Sequence, residues 1–442
     1  MTAPLRSFLA EVVSAGTLLP EPERARWAVN GAIPSAVLMP SSEEEVGRIL
    51  ARASQEGWGV LPAGFGRWLA GGGPANVELV ISTRRLRDLQ EYEPADLTFM
   101  AGAGISLSSL AEATGANGQW LPLDPPGGEE GSLGAAVATG MGGPLGQWYG
   151  PPRDHVLGLT MVSGDGEVLR WGGRVVKNVA GFDVTRLCIG SWGALGVITS
   201  VSARLFPLPE VDVTLILEGH QRFSLLSRAR ALALSSLPLA ALELLDPLDW
   251  KEGGSRSPAG LVVRLLGSRE EVEAMETRVP REAGDAGVFK RLEGEESRAF
   301  HGRLGRWEEG AGLVLRMVAL PSLLGAVLRL VEDSQAQWKR FPAQEGLDVR
   351  VAAHVGAGVV RVAVWGISLE GDGLRGGWVE ALSGLREVLE GMGGSLVLSS
   401  GPAPLVREVG TWGGRRVEKT LMQGLKRQFD PQGILAPGRF AG

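Results

Sequence analysis

Glycine makes up 65 of the 442 residues, and it falls in clusters that follow strand signals or precede helix signals. It forms no low-complexity tract, so the clusters mark backbone turning closely around something. The longest uncharged run, residues 131–152, could be taken for a membrane span, yet it holds seven glycines and three prolines. It reads as loop-rich chain instead. The length fits about three units of roughly 150 residues, and 44% hydrophobic with 21% charged residues predicts a globular protein. A net charge of −6 leaves no electrostatic footprint for nucleic acid. Cys188 is the only cysteine, which excludes an internal disulfide and a thiolate metal cage. Arg6 and Glu11 interrupt the apolar N-terminus, so no secretory signal is expected and the chain reads as cytoplasmic.

Helix and strand signals alternate from the start. Ala36–Met39 reads as a strand, and Ser42–Glu45 as a capping box opening a helix that Gly57 stops. Trp58–Leu61 and Val77–Ser82 read as strands, and Ser106–Thr114 as a helix closed by Gly115. The fold class expected is α+β. Past Pro207–Pro209 a strand, a helix, two strands and a helix are followed by a looser second round of strand, helix, two strands, helix, strand, an order that is ferredoxin-like. The expected organisation is an N-terminal segment 1–29, a first domain 30–209, a ferredoxin-like α/β domain 210–400 and a C-terminal segment 401–442.

Three segments carry chemistry. The first, Leu61–Pro74, follows a strand and holds five glycines whose amides can point into one concavity. A pyrophosphate nest and a plain surface loop both fit that spacing. It is no Rossmann fingerprint, because the third glycine position is Leu69 and no helix follows. In the second segment, Leu121–Gly140, a proline entry leads to Gly131, Ser132 and Gly134 and then to a helix starting with small residues. Small side chains let a flat ligand lie against such a helix, and its free N-terminal amides would favour an anion; close helix packing is the other reading. The third, Val176–Ile198, puts a short helix before a glycine turn and a strand.

In this order the three segments resemble the FAD-binding domain of the vanillyl-alcohol oxidase and p-cresol methylhydroxylase (PCMH) superfamily. The stretch Lys177-Asn-Val-Ala-Gly-Phe-Asp183 with Gly190-Ser-Trp-Gly-Ala-Leu-Gly-Val-Ile198 is similar to the E-subunit family of bacterial glycolate oxidases. The tail Phe429–Arg439 resembles the superfamily's closing motif. The resemblance implies a two-lobed PCMH-type FAD-binding domain, a ferredoxin-like cap, and a C-terminal segment returning to the FAD domain. It implies that Ala63, Gly64, Phe65, Gly66, Arg67 and Trp68 lie along the FAD pyrophosphate through backbone amides. Pro122, Gly131, Ser132 and Gly134 would flank pyrophosphate and flavin, Ala138 would lie under the cofactor, and Val197 and Ile198 would meet the adenine end. Phe65 and Arg67 replace the glycine and the small hydroxyl or histidine of many relatives, so FAD is expected to be non-covalent, with Arg67 free to pair with a phosphate.

Oxidising a 2-hydroxy acid needs a base for the hydroxyl proton, a cation for the carboxylate and a flavin to take the hydride. Of four histidines, His354 stands out at a turn between two apolar strands. Its segment resembles a degraded His-x-Gly-Asp-Gly-Asn-x-His, with Ala357, Val359 and Arg361 in place of the acid, the amide and the second histidine. One ligand is too few for a metal, so none is expected. His354 reads first as a satisfied turn histidine and second as a base, with Arg361 the best cation near it. Asp154 and Asp183 read as caps.

The reading that follows is an FAD-binding subunit of a glycolate oxidase complex, oxidising glycolate to glyoxylate without a complete substrate site of its own. The partners implied are a homologous flavoprotein subunit and an iron-sulfur subunit, which could hold the chain at the cytoplasmic face of a membrane. A structural partner with lost or merely stabilising flavin, and a free-standing FAD-dependent 2-hydroxy acid dehydrogenase, stay open as alternatives.

Overall fold

The computed structural model describes residues 3–12, 17–173, 183–248, 258–284, 289–342, 346–369, 372–413 and 416–439. They form two compact units: residues 1–142, 151–208 and 414–442 in the first, and 143–150 with 209–413 in the second. The expected boundaries differ at two places, since residues 143–150 and 401–413 group with the second unit.

The first unit has two lobes. Strands β1 (Ala36–Leu38), β2 (Val60–Ala63) and β3 (Leu79–Ser82) make a parallel sheet in the order β1-β3-β2. The helix Glu43–Glu56 starts where Ser42 Oγ accepts from the Glu45 amide and ends at Gly57, whose φ of 70° an L side chain resists. The capping box is only half made. Glu45 turns its carboxylate instead to the Ser41 amide (2.9 Å) and the Thr17 hydroxyl (2.7 Å). The second lobe holds β4 (Leu89–Glu93), β5 (Thr98–Gly102), β7 (Val156–Val162), β8 (Val168–Gly172) and β9 (Val197–Arg204), antiparallel in the order β4-β5-β9-β7-β8. A short ribbon joins β6 (Gln119–Trp120) to β10 (Phe206–Pro207). The C-terminal tail is tied to the first lobe: Leu435 bridges Val60 in parallel, and the buried Asp430 carboxylate accepts from the Ile434 and Leu435 amides at 3.0 and 2.8 Å.

The second unit is one eight-stranded antiparallel sheet built from two ferredoxin-like halves. The first half holds β11 (Val211–Gly219), β12 (Ala241–Asp246), β13 (Ala259–Gly267) and β14 (Lys290–Glu293); the second holds β15 (Leu313–Val318), β16 (Asp348–His354), β17 (Val359–Trp365) and β18 (Ser395–Ser400). The order β14-β11-β13-β12-β16-β17-β15-β18 joins the halves through β12 and β16. Alternate residues such as Val213, Leu242, Val263, Ala353 and Val362 face the helices Arg222–Leu234, Arg269–Glu282, Leu324–Trp338 and Asp372–Gly391 and form the main core. The intervening residues share the other face, and several of them are charged. Strand β14 and the helix Glu295–Leu304 leave no periodic signal in the sequence, because Lys-Arg-Leu-Glu is a charged edge strand.

Among the described residues no helix is long and apolar enough to cross a membrane.

Candidate functional site

In the first unit, residues 63–69 and 131–139 meet along a partly open cleft. Glycine is required where the walls touch. A Cβ on Gly64 would lie 2.0 Å from Ser132 Oγ, and one on Gly134 would lie 2.5 Å from the Cβ of Ala103. Trp68 fastens the first loop to the second, donating its indole N–H to the Pro126 carbonyl at 3.1 Å.

The cleft brings together Ala63, Gly64, Phe65, Gly66, Arg67, Trp68, Gly131, Ser132, Gly134, Ala138, Val197 and Ile198. Pro122 does not line it, and Lys177 to Phe182 lie outside the described residues. Trp192, Gly193, Gly196 and Arg439 complete the lining. Asp183 caps the helix Val184–Cys188, accepting from the Arg186 amide at 3.1 Å. Burial pushes the Cys188 thiol up to about 12, so it is no nucleophile at neutral pH.

Two expectations about anion binding change. The helix Leu133–Thr139 does not offer free N-terminal amides: Leu133 donates to the Ile105 carbonyl (2.9 Å), Gly134 to that of Ala103 (2.8 Å) and Ala135 to Ser132 Oγ (3.3 Å). The chain reversal at residues 103–105 brings carbonyls to this helix end from a distant segment, which local spacing does not reveal. Arg67 is engaged too, in an ion pair with Glu130. The amides of Gly64, Phe65 and Gly66, in contrast, make no hydrogen bond among the described residues. With Ala135 and Ala138 as a flat apolar wall, the residues present fit FAD: donors for its phosphates and a small-residue surface for its rings.

Residues 34–172 match the family described as FAD binding domain. Over that stretch the chain is similar to an FAD binding domain. It contains both glycine segments of the cleft, and the cofactor of the domain is FAD. Over 193 residues the chain is 38% identical to glycolate oxidase subunit GlcE of Escherichia coli, an alignment covering 43% of this chain and 55% of that protein. The FAD-binding chain thus spans about half the length of that relative. It is 28% identical to a D-2-hydroxyglutarate dehydrogenase of Xanthomonas citri, across 94% of this chain and 90% of the relative. The structure is similar to 4-ethylphenol oxidase from Gulosibacter chungangensis, with a TM-score of 0.76 at 17% identity, covering 100% of this chain and 98% of that one. The likeness shows the PCMH-type fold expected from the sequence.

The second unit carries the charged groups. Glu243 and His354 stand directly opposite each other on β12 and β16, and His354 Nδ1 lies 2.7 Å from the carboxylate. Sequence reasoning missed Glu243, which sits 111 positions away and alternates with leucines like any strand residue. Burial raises its pKa above the usual carboxylate range, with His354 pulling the other way, and the carboxylate has no other hydrogen-bond partner among the described residues. Arg361, the cation expected to serve the site, is committed to Glu308 by a bidentate ion pair and is buried. Directly across from it on β15 stands Arg316, which makes no hydrogen bond or ion pair among the described residues. Burial and the neighbouring Arg361 both lower its pKa. Elsewhere on this face the charges are closed: Arg264 grips Asp212 at 3.2 and 2.7 Å, and Ser297 donates to the same carboxylate at 2.6 Å. Burial holds the neighbouring His301 well below its usual pKa, hence neutral.

The Glu243 site has a measurable signature. Its folded pKa is raised, so between the unfolded and folded values the native state binds the extra proton, and stability falls as pH rises through that window. Glu243→Gln keeps an acceptor for Nδ1 but removes the buried charge. The variant should be more stable than the parent by about 1–3 kcal/mol at pH 8, with the gap closing as pH falls towards ~4. Urea unfolding across that range measures it, and a gap independent of pH contradicts the assignment.

Proposed function

We propose that the chain is an FAD-dependent oxidoreductase acting on a small 2-hydroxy acid, working as the E-type subunit of a glycolate oxidase complex that converts glycolate to glyoxylate. The observation that carries the reading is Arg316, a largely desolvated guanidinium left open beside an already neutralised Arg361, on the same sheet face as a carboxylate-backed histidine. A desolvated arginine in that setting favours a carboxylate. Arg316 holds the substrate's carboxylate, and His354 Nε2 receives the hydroxyl proton. Glu243 accepts from Nδ1–H and so fixes the tautomer that presents Nε2 as a base. Bound FAD supplies the acceptor for the hydride leaving the carbinol carbon. The identity to GlcE supports membership of a complex, which would include a homologous flavoprotein and an iron-sulfur subunit and would place the chain in the cytoplasm or at the cytoplasmic face of a membrane.

The alignment with D-2-hydroxyglutarate dehydrogenase over nearly the whole chain favours a second reading, a free-standing dehydrogenase. Anaerobic titration separates the two. The purified chain should show flavin absorbance, released by acid because neither histidine nor tyrosine lies in 63–74. Bleaching by glycolate, D-lactate or D-2-hydroxyglutarate without partners supports the free-standing enzyme; bleaching by glycolate only after co-purified subunits are added supports the complex. A colourless chain that takes up no FAD would sink both.

A further inference from the structure

We propose that Gln147 is a further substrate-contacting residue, whose carboxamide N–H donates to the hydroxyl oxygen of the bound 2-hydroxy acid as His354 takes the hydroxyl proton. The proposal rests on the reading of His354 as the base. Gln147 belongs to residues 143–150, which pack with the second unit although the chain on either side of them belongs to the first. Their short helix, Gly146–Tyr149, follows the buried Leu145 and lies against β12, the strand that carries Glu243. The Arg264 and Asp212 charges act on Tyr149 from that sheet, so the helix sits over its charged face.

Gln147 reaches the turn that follows His354. A Cβ on Gly356 would lie 2.1 Å from Gln147 Oε1 and 2.4 Å from its Nε2, so the carboxamide occupies the place where a side chain at 356 would begin. Glycine leaves that place open, two residues beyond the base. The turn itself is fixed on both sides: the Val355 amide donates to the Leu242 carbonyl at 3.1 Å, and the Ala319 amide to the Gly358 carbonyl at 3.0 Å. The half-buried carboxamide of Gln147 makes no hydrogen bond among the described residues. It brings two N–H donors and an acceptor to this spot unspent, and a polar group withdrawn from water without a partner costs free energy.

The reaction has a use for such a donor. The O–H proton passes to His354 Nε2, the carbinol C–H leaves as hydride to bound FAD, and the C–O bond becomes a carbonyl. Negative charge builds on the oxygen as its proton departs, and a fixed N–H donor stabilises it most at that moment. The N–H bond of Gln147 stays intact throughout.

The test uses the flavin-loaded full-length chain, with co-purified subunits where reduction needs them. Anaerobic rapid mixing with glycolate, or with whichever 2-hydroxy acid bleaches the flavin, gives the limiting rate of flavin reduction and the substrate dissociation constant. Flavin content and thermal melting are measured on the same samples. Gln147→Leu should lower the limiting rate by ~10- to 100-fold, the worth of one hydrogen bond to a developing charge, and leave the other three quantities unchanged. Gly356→Ala keeps Gln147 but pushes its carboxamide aside, and should lower the rate in the same direction. An unchanged rate in Gln147→Leu, with the rate lost in His354→Ala, overturns the proposal and leaves the base in place. A weaker dissociation constant at an unchanged limiting rate also overturns it, because the contact would then be made in the ground state alone. A rate loss matched by lost flavin or lowered melting reduces Gln147 to a prop for the turn. An unchanged rate in His354→Ala, or a parent that no 2-hydroxy acid reduces, withdraws the substrate site and Gln147 with it.

Discussion

Gly134→Val should leave the protein without flavin while the second unit stays folded. The Gly134 amide donates to the Ala103 carbonyl at 2.8 Å, and a Cβ at this position would meet the Ala103 Cβ at 2.5 Å and its carbonyl oxygen at 2.9 Å. A branched side chain cannot be placed there without lifting the helix Leu133–Thr139 off the turn after β5. Overpacking of this kind costs about 1–3 kcal/mol, and losing the amide bond adds about 1 kcal/mol. The larger consequence is geometric, because that helix carries Ala135 and Ala138 into the cleft wall. The measurements are flavin absorbance per chain after purification, and limited proteolysis to follow residues 209–413. In the double variant Gly134→Ala with Ala103→Gly, removing the opposing methyl should restore part of the flavin that Gly134→Ala alone loses. Full flavin content in Gly134→Val would show that the helix is not part of the cofactor site.

Arg316→Met should raise the KM for the 2-hydroxy acid by ~100-fold, since a hydrogen bond to a charged group is worth about 1.5–3 kcal/mol. The same substitution should leave stability unchanged or raise it. Arg316 faces Arg361 across the β15–β17 pair, and Glu308 neutralises only the latter. Like charges directly opposite on a sheet are destabilising, and methionine fills similar space without that charge. Flavin reduction by substrate in the assembled complex gives the first quantity, and urea unfolding gives the second. Arg316→Lys should fall between parent and Met for KM. An unchanged KM, or a stability loss of several kcal/mol, would make Arg316 a structural residue and withdraw the cation from the proposed substrate site.

The two pairs of neighbours behind these predictions illustrate what local pattern carries and what it does not. Gly134 is legible as a glycine at a helix start, but its partner Ala103 lies on another segment, so the sequence leaves open whether space there is kept for cofactor or for protein. His354 is legible as the surviving member of a worn motif. The carboxylate behind it is not, because Glu243 belongs to the other ferredoxin-like half and meets His354 only through the β12–β16 seam. Arg361 sits near that motif in sequence and so attracts a functional reading. Register decides otherwise, seating it against Glu308 and leaving Arg316 open.

The sequence by itself determined the α+β class, the glycine loops that line the cleft, and the ferredoxin-like order of the second unit. Each is a local property: glycine where backbone approaches closely, period-two and period-3.6 apolar patterns, and caps at helix ends. Tertiary structure alone decided which charges are spent and which remain available. Asp212 closes Arg264, Glu308 closes Arg361 and Glu130 closes Arg67, while Arg316 and the Gly64–Gly66 amides stay open among the described residues. Those pairings depend on strand register and chain reversal between segments tens of residues apart. A charge's availability is set by what folding places within about 4 Å of it, and no local pattern encodes that distance.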